Sequence, residues 1–590
     1  MAALINSLDN ITPSNLGENG HKEYTWSNNI RERILQLSFQ LTRNTATNNN
    51  NNNNNNNLLS LEGIVDNILL ELKRGYRARV LLKEEFLEYM SIMFRLVGQT
   101  RDIIDGKGEY KLSYMLLSVW QRHYSSLASF AFRLFVLGDG HQVIHPYGSW
   151  KDVKYMIQYM EEDNTVCNPE SLIVFAVNLI NTQIRQDSVA VTPSLAAKWV
   201  PREKSHFFRL FTRLALDYFP EYSATAFTET SINKATTKAK MDYRKIISSL
   251  NRQLETVQIN QCANTWAKID PANQTSITMH KQKKAFLNLN KKGEQRTQLD
   301  DRIQCAKKFT DFADNAARGK VSIKGLRIGL NDFTKNAFEL IRYKQQLSSE
   351  AQILNAQWLN NSLQNGALGK MIAMVDTSGS MSGDPMNAAI ALGIRIAEKS
   401  MLGKRVLTFS ASPTWVNLDG CDNFVSMVEK VSVSDWGMNT NFLAALNLIL
   451  DAIVQQKMDA IDVEDMVLTI LSDMQIDAAS QNGGSDFGSM MELIERRYAD
   501  AGIRVCGKPY KPPHILFWNL RSTNGFPTLS TQPNASMMSG FSPVLLNLFC
   551  EQGLNALQSC SPWSLLIKSL ENDRYQVLDE QLRQELDLFA

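Results

Sequence analysis

The sequence predicts a multidomain protein. An α-helical, solenoid-like N-terminal domain precedes an α/β domain built on a doubly wound sheet. Three observations predict this. From Leu58 to about residue 345, apolar residues recur every three or four positions, with Gly or Pro between the runs. From residue 370 onward, short apolar runs alternate with amphipathic ones, as βαβ units require. The first of those runs, Met371–Val375, passes directly into Asp376-Thr377-Ser378-Gly379-Ser380. A carboxylate and two alternating hydroxyls thus stand on a strand-to-helix turn, at the edge where open α/β sheets bind ligands.

Taken in order, residues 1–57 read as a disordered tail with one short helix near Ile30–Leu41. Ten consecutive asparagines, Asn48–Asn57, bury too little apolar area to offset the entropy of ordering them. Residues 58–345 read as stacked antiparallel helices without a fixed repeat period. Three loops in this region carry charge or aromatics: Arg101–Glu109, Tyr147–Asp152 and Leu195–Glu203. Gly106-Lys107-Gly108 is not a phosphate-binding P-loop, because the earlier Gly and the following Ser or Thr are missing. Gly turns, packed Trp and solvated Lys or Arg account for these loops equally well. Residues 346–369 read as a linker, and 370–560 as the α/β domain.

Within that domain the expected strands are Lys370–Val375, Arg405–Phe409, Thr414–Leu418, Met466–Leu471, His514–Asn519 and Ala535–Met538. Arg405–Phe409 and Thr414–Leu418 are close enough to form an edge hairpin. The expected helices are Met386–Met401, with Asp384 as N-cap, then Asn441–Val454 and Ser489–Tyr498. A closing helix starts at Pro543. Residues 561–590 form an acidic C-terminal helix with Leu578, Leu582, Leu586 and Phe589 on one face. Such a face docks on the body of the protein or on a partner.

Asp376, Ser378 and Ser380 have two further companions at element ends. Trp436–Thr440 opens a helix, and the apolar run Met466–Leu471 ends in Ser472-Asp473. Together Asp376, Ser378, Ser380, Thr440 and Asp473 resemble the metal-ion-dependent adhesion site of the von Willebrand factor A domain, over about residues 370–549. The resemblance implies that these five hold Mg²⁺ (or Mn²⁺) and that an acidic side chain of a protein ligand completes the coordination. The donor chemistry is that of a hard cation, three hydroxyls and two carboxylates, some acting through water. Helix capping by the same residues is the plain alternative. With the loops at 101–109, 147–152 and 195–203, the chain also resembles an uncharacterised family of plant and large-virus proteins that joins a helical domain to a C-terminal von Willebrand A domain. Its architecture is similar to that of the Ro ribonucleoprotein, whose helical ring binds RNA.

Composition narrows the function classes. Of 590 residues, 44% are apolar and 21% charged, with a net charge of +2, ordinary globular values. Seven scattered cysteines form no C-x-x-C, which argues against a disulfide framework or a zinc site. No apolar run is long enough for a membrane helix and no secretory signal is visible. The expectation is a cytoplasmic protein, or a virion component if the source is a large DNA virus. Between Ser231 and Lys344 there are 23 Lys or Arg and 10 Asp or Glu, a local charge of +13 that leaves −11 elsewhere. Arg244, Lys245, Lys281, Lys283, Lys284, Lys291 and Lys292 are therefore candidate contacts to nucleic acid, with Trp266, Phe286, Phe309 and Tyr343 available for stacking. Solvated helix faces, or docking on the acidic half, explain the same charge. The seven histidines form no metal-ligand spacing. Three functions follow: a non-enzymatic scaffold that captures an acidic protein ligand through its metal site, a Ro-like RNA-binding factor, or a Mg²⁺-dependent hydrolase.

Overall fold

Six strands form one sheet in the C-terminal part of the chain, and its order explains where the loops of interest meet. The computed structural model describes residues 12–16, 22–43, 51–138, 145–162, 169–224, 226–409, 412–433, 441–475, 490–522, 525–550 and 560–587. After a small hairpin, β1 (Ser14–Leu16) and β2 (Lys22–Tyr24), come thirteen longer helices. These are α1 (Ile30–Gln40), α2 (Asn51–Arg77), α3 (Lys83–Arg101), α4 (Lys111–His123), α5 (Ser125–Val136), α6 (Lys151–Glu162) and α7 (Pro169–Asp187). They continue with α8 (Phe208–Tyr218), α9 (Glu229–Gln253), α10 (Ser276–Phe286), α11 (Asp300–Ala317), α12 (Leu330–Arg342) and α13 (Ser349–Ser362). The sheet region follows as β3 (Met371–Asp376), α14 (Asp384–Lys399), β4 (Arg405–Phe409), β5 (Thr414–Asn417), α15 (Phe424–Ser432), α16 (Phe442–Gln456) and β6 (Val467–Ser472). It ends with α17 (Met490–Cys506), β7 (His514–Asn519), β8 (Ala535–Ser539), α18 (Pro562–Leu570) and α19 (Asp573–Asp587).

The strand order is β5-β4-β3-β6-β7-β8. All neighbours are parallel except the β4–β5 edge hairpin. Both faces of the sheet are buried, so its strands read as unbroken apolar runs rather than alternating ones. Ala373, Val375, Val406, Leu471, Leu516 and Trp518 face one core, shared with α12 to α15. Met374, Leu407, Ile470, Phe517 and Met537 are paired across the sheet on the opposite face. Helix α14 lies close on β3: a Cβ at Gly393 would sit 2.5 Å from Val375 Cγ2, so only glycine allows that approach.

Two compact units emerge, and each is discontinuous in sequence. One comprises residues 1–93, 271–296 and 306–572; the other 94–270, 297–305 and 573–590. The linear boundaries at 58, 345 and 370 are thus not those of the folded units. The expected linker, 346–369, contains α13, which buries Ala351, Leu354 and Trp358 in the sheet's core. Trp358 stacks on Phe424 with centroids 3.9 Å apart, and the buried Arg395 guanidinium lies 4.2 Å from its ring. The Asn- and Gln-rich composition of this helix obscures that apolar stripe.

The N-terminal tail also differs from expectation. Helix α1 forms as anticipated, its N-terminus capped by the Asn29 side chain. It buries Ile34, Leu35, Leu37 and Phe39, which a disordered tail would leave in water. Asn51–Asn57 form the first turns of α2; the rest of the asparagine tract lies outside the described residues. Near the sheet, the predicted strand positions hold to within one residue. Helix α14 is capped by Gly383, at φ +97°, rather than by Asp384, because a left-handed turn is needed there and glycine adopts it freely.

In the helical unit, the 101–109 and 147–152 loops are internal. Arg101 and Asp152, both fully buried, form a bidentate pair at 2.8 and 2.8 Å, and Tyr114 donates to the same carboxylate. Asp102, also fully buried, accepts two hydrogen bonds from Arg574 of α19, at 2.7 and 2.8 Å. Tyr575, Leu578 and Leu582 of α19 are buried in this unit. The C-terminal helix therefore docks on its own chain through the predicted face; Phe589 lies outside the described residues. Gly106 is required by packing, since a Cβ there would meet the Gln99 carbonyl oxygen at 2.1 Å. Replacing Arg574 by Ala should cost about 3 kcal/mol in denaturant unfolding, because it strands a buried carboxylate. Replacing the exposed Arg583 of the same helix should cost under about 0.5 kcal/mol.

Candidate functional site

The chain leaves β3 toward β4 on one side of the sheet and leaves β6 toward β7 on the other. The carboxyl ends of β3 and β6 are adjacent, and the strand order reverses direction between them. This is the switch point of an open α/β sheet. Asp376 is the last residue of β3, Ser472 is the last of β6, and Asp473 follows it directly.

Each acid is fully buried. Asp376 Oδ1 accepts the Ser378 backbone N–H at 2.9 Å, and its Oδ2 accepts the Ser472 hydroxyl at 2.6 Å. The Ser378 and Ser380 hydroxyls are 3.1 Å apart. Asp473 Oδ1 accepts the Gln475 N–H at 3.2 Å. Its Oδ2 takes no hydrogen bond from any described residue, although the Ser380 hydroxyl lies near enough to favour the charge. An Arg521 guanidinium nitrogen is 3.9 Å from that oxygen, and the same nitrogen donates to the Ser380 carbonyl.

Electrostatically the pair is under-compensated. Burial pushes the Asp376 carboxyl well up, and repulsion from Asp473 adds to this. Burial likewise raises Asp473, against lowering contributions from Gln475, Ser380 and Arg521. Two desolvated carboxyls flanked by hydroxyls, one with an unsatisfied oxygen, are the donor set a hard divalent cation requires. Three converging His, Cys, Asp or Glu side chains are not found among the described residues, so the hydroxyls are essential to any such site.

The structure brings together four of the five sequence-predicted residues: Asp376, Ser378, Ser380 and Asp473. Thr440 lies outside the described residues; Asn441, next to it, caps α16 by accepting the Ala444 N–H. Two participants were not anticipated as such. Ser472 is the hydroxyl that holds Asp376, a role visible in its place at the strand end. Arg521 had no sequence signal, because it reaches the site only through the β6–β7 pairing.

The basic candidates do not form one group. Lys283 is 3% exposed and lies 3.6 Å from Glu350, with its amine also on Asn336; it cannot present its charge to a phosphate. Lys284 is part-buried, 3.8 Å from the same carboxylate. Lys281, Lys291 and Lys292 are exposed. Arg244 and Lys245, in the other unit, are exposed but face Glu203 and Asp242 at 2.8 and 2.9 Å. Phe286 and Phe309 stack on each other inside the core, 4.4 Å apart, and Trp266 lies under Arg302 at 3.7 Å. Of the four expected stacking aromatics, Tyr343 keeps an exposed ring. Charge counting could not separate internal ion pairs from surface ones.

Residues 370–581 match a family described as a domain of unknown function, DUF7788. The chain is 27% identical over 513 residues to "Uncharacterized protein L728" of Acanthamoeba polyphaga mimivirus, covering 82% of this chain and 80% of that protein. Both similarities fit an uncharacterised large-virus family. Among the described residues no helix is long and apolar enough to cross a membrane.

In the metal-free protein, the raised carboxyl pKa values give a defined sign. The neutral acids favour the folded state, so their contribution is fully present below about pH 4, the unfolded carboxyl value. It is lost as pH rises toward the folded value of Asp376, about 7. Asp473→Asn should therefore unfold at a higher temperature than wild type at pH 8 in EDTA, by the equivalent of about 1–4 kcal/mol. That gap should close as pH falls to 4 in the same melting series.

Proposed function

We propose that the protein is a non-enzymatic binding scaffold whose sheet is a von Willebrand A-type domain, and that Asp376, Ser378, Ser380 and Asp473 hold Mg²⁺ or Mn²⁺ to capture an acidic protein ligand. The observation that carries this reading is an Asp473 carboxylate oxygen that takes no hydrogen bond from any described residue, beside a second buried acid and two hydroxyls, at the switch point of the sheet. A buried charge left in this state is costly unless a cation compensates it. When bound, the ion supplies a Lewis-acidic position that a carboxylate from outside can fill. The chain's own part is to fix the oxygens. Ser472 and the Ser378 N–H orient Asp376, and the Gln475 N–H orients Asp473. A hydrolase would need a base or nucleophile in addition, and both acids here are committed to holding the ion.

Calorimetry on the full chain tests the reading. Asp376→Ala and Asp473→Ala should each lose Mg²⁺ and Mn²⁺ affinity by about tenfold or more, since each removes a charged oxygen from a hard-cation site. Wild-type affinity in both variants would overturn the assignment.

The second reading, binding of RNA by the basic region, is favoured by the exposed Lys281, Lys291 and Lys292. On the scaffold reading, single-stranded RNA is not retained in a filter assay even at low salt. Retention whose log–log salt slope falls by about 0.7 for each lysine neutralised would replace it with the Ro-like reading.

A further inference from the structure

The carboxylate that most needs a cation already has one nearby, held at an unusual distance. Arg521 follows β7, the strand beside β6. Its backbone is fixed: the Arg521 N–H donates to Asn519 Oδ1 at 3.0 Å, and Leu520 N–H donates to the Ser472 carbonyl at 3.1 Å. Asn519 is itself fully buried and anchored, donating to the Phe39 carbonyl at 3.0 Å. The side chain is less confined, 33% exposed, and donates to the Ser380 carbonyl.

The same protein shows how its arginines pair with buried acids when the pair is permanent. Arg101 meets Asp152, and Arg574 meets Asp102, through two hydrogen bonds each at 2.7–2.8 Å. Such forked contacts satisfy both oxygens and lock the geometry. Arg521 instead remains 3.9 Å from Asp473 Oδ2, beyond hydrogen-bond range. It offsets part of the charge without occupying the oxygen.

We propose that Arg521 is the built-in counter-cation of the metal-free centre, and that a divalent ion must displace its guanidinium to bind. This rests on the reading that Asp376 and Asp473 hold a cation. A guanidinium next to Asp473 and a divalent ion on Asp473 repel one another beside a fully buried carboxylate, where charges are less screened than in water. The partly exposed side chain has solvent to swing into, while the fixed backbone keeps it poised to return. The metal affinity is thereby set by a competition, and Arg521 stabilises the metal-free fold at the expense of metal binding.

The test uses the full chain, MgCl₂ as the probe, and Arg521→Gln. Glutamine can still donate to the Ser380 carbonyl but carries no charge. Calorimetry should give Mg²⁺ binding about tenfold or more tighter than wild type, and melting in EDTA at pH 7.5 should give a lower Tm. Arg521→Lys, which keeps a charge, should stay near wild type in both. A residue that merely anchors the loop would weaken both properties together. Unchanged or weaker Mg²⁺ binding in Arg521→Gln, with wild-type binding that Asp473→Ala abolishes, overturns the counter-cation and leaves the metal site standing. Wild type that binds no Mg²⁺ overturns both.

Discussion

Two carboxylates without water are the constraint from which the C-terminal half of this protein is best understood. Asp376 and Asp473 stand at the ends of adjacent parallel strands, so the hydrogen-bond register of β3 and β6 forces them together. A sheet with both faces buried gives the acids no route to solvent except along its carboxyl edge. Each local device at that edge then acts on the same charge. Ser472 and the Ser378 N–H hold one acid, the Gln475 N–H holds the other, and Arg521 offers a compensating cation from the third strand. Hydrophobic burial builds the sheet, but burial of that kind also makes these two side chains costly to keep. On the proposed reading, a bound cation offsets that cost.

The helical unit meets buried charge in the opposite way. Arg101–Asp152 and Arg574–Asp102 are closed pairs with almost all partners satisfied, and Tyr114 and Tyr575 add hydroxyls to the same carboxylates. Such networks specify one arrangement of helices and react to nothing. They also account for the discontinuous units. Helix α19 comes last in sequence, yet its Arg574 completes the coordination of Asp102, more than four hundred residues earlier. The charged loop at 101–109, with Gly106 and Gly108, is the socket for that contact.

What the sequence made legible follows from the range of the forces involved. Strands β3, β4, β6 and β7 were readable because a parallel strand buried on both faces is a continuous apolar run, and that signal is local. Asp376, Ser378 and Ser380 were readable because three chemically matched residues within five positions mark a turn. Asp473 was readable from its place at the end of such a run. Helix α13 was not, because its apolar stripe of Ala351, Leu354 and Trp358 is diluted by Asn and Gln. Lys283 was misread as surface charge because its partner, Glu350, is distant in sequence. Arg521 was invisible for the same reason.

These cases share one cause. A residue's environment is written locally when the backbone itself buries it, as in a central strand, and non-locally when a partner side chain does. Phe286 and Phe309 illustrate the second case: each looks free to stack on a base until the other fills its face. Of the seven basic residues singled out as candidates, three remain exposed lysines in one unit and two are exposed cations paired with acids in the other. The buried acid pair moves the other way. Among the described residues nothing donates a hydrogen bond to Asp473 Oδ2, and Arg521 stops 3.9 Å short of it. Asp473 thus keeps one oxygen that no described donor fills, at the carboxyl edge where β3 and β6 lie side by side.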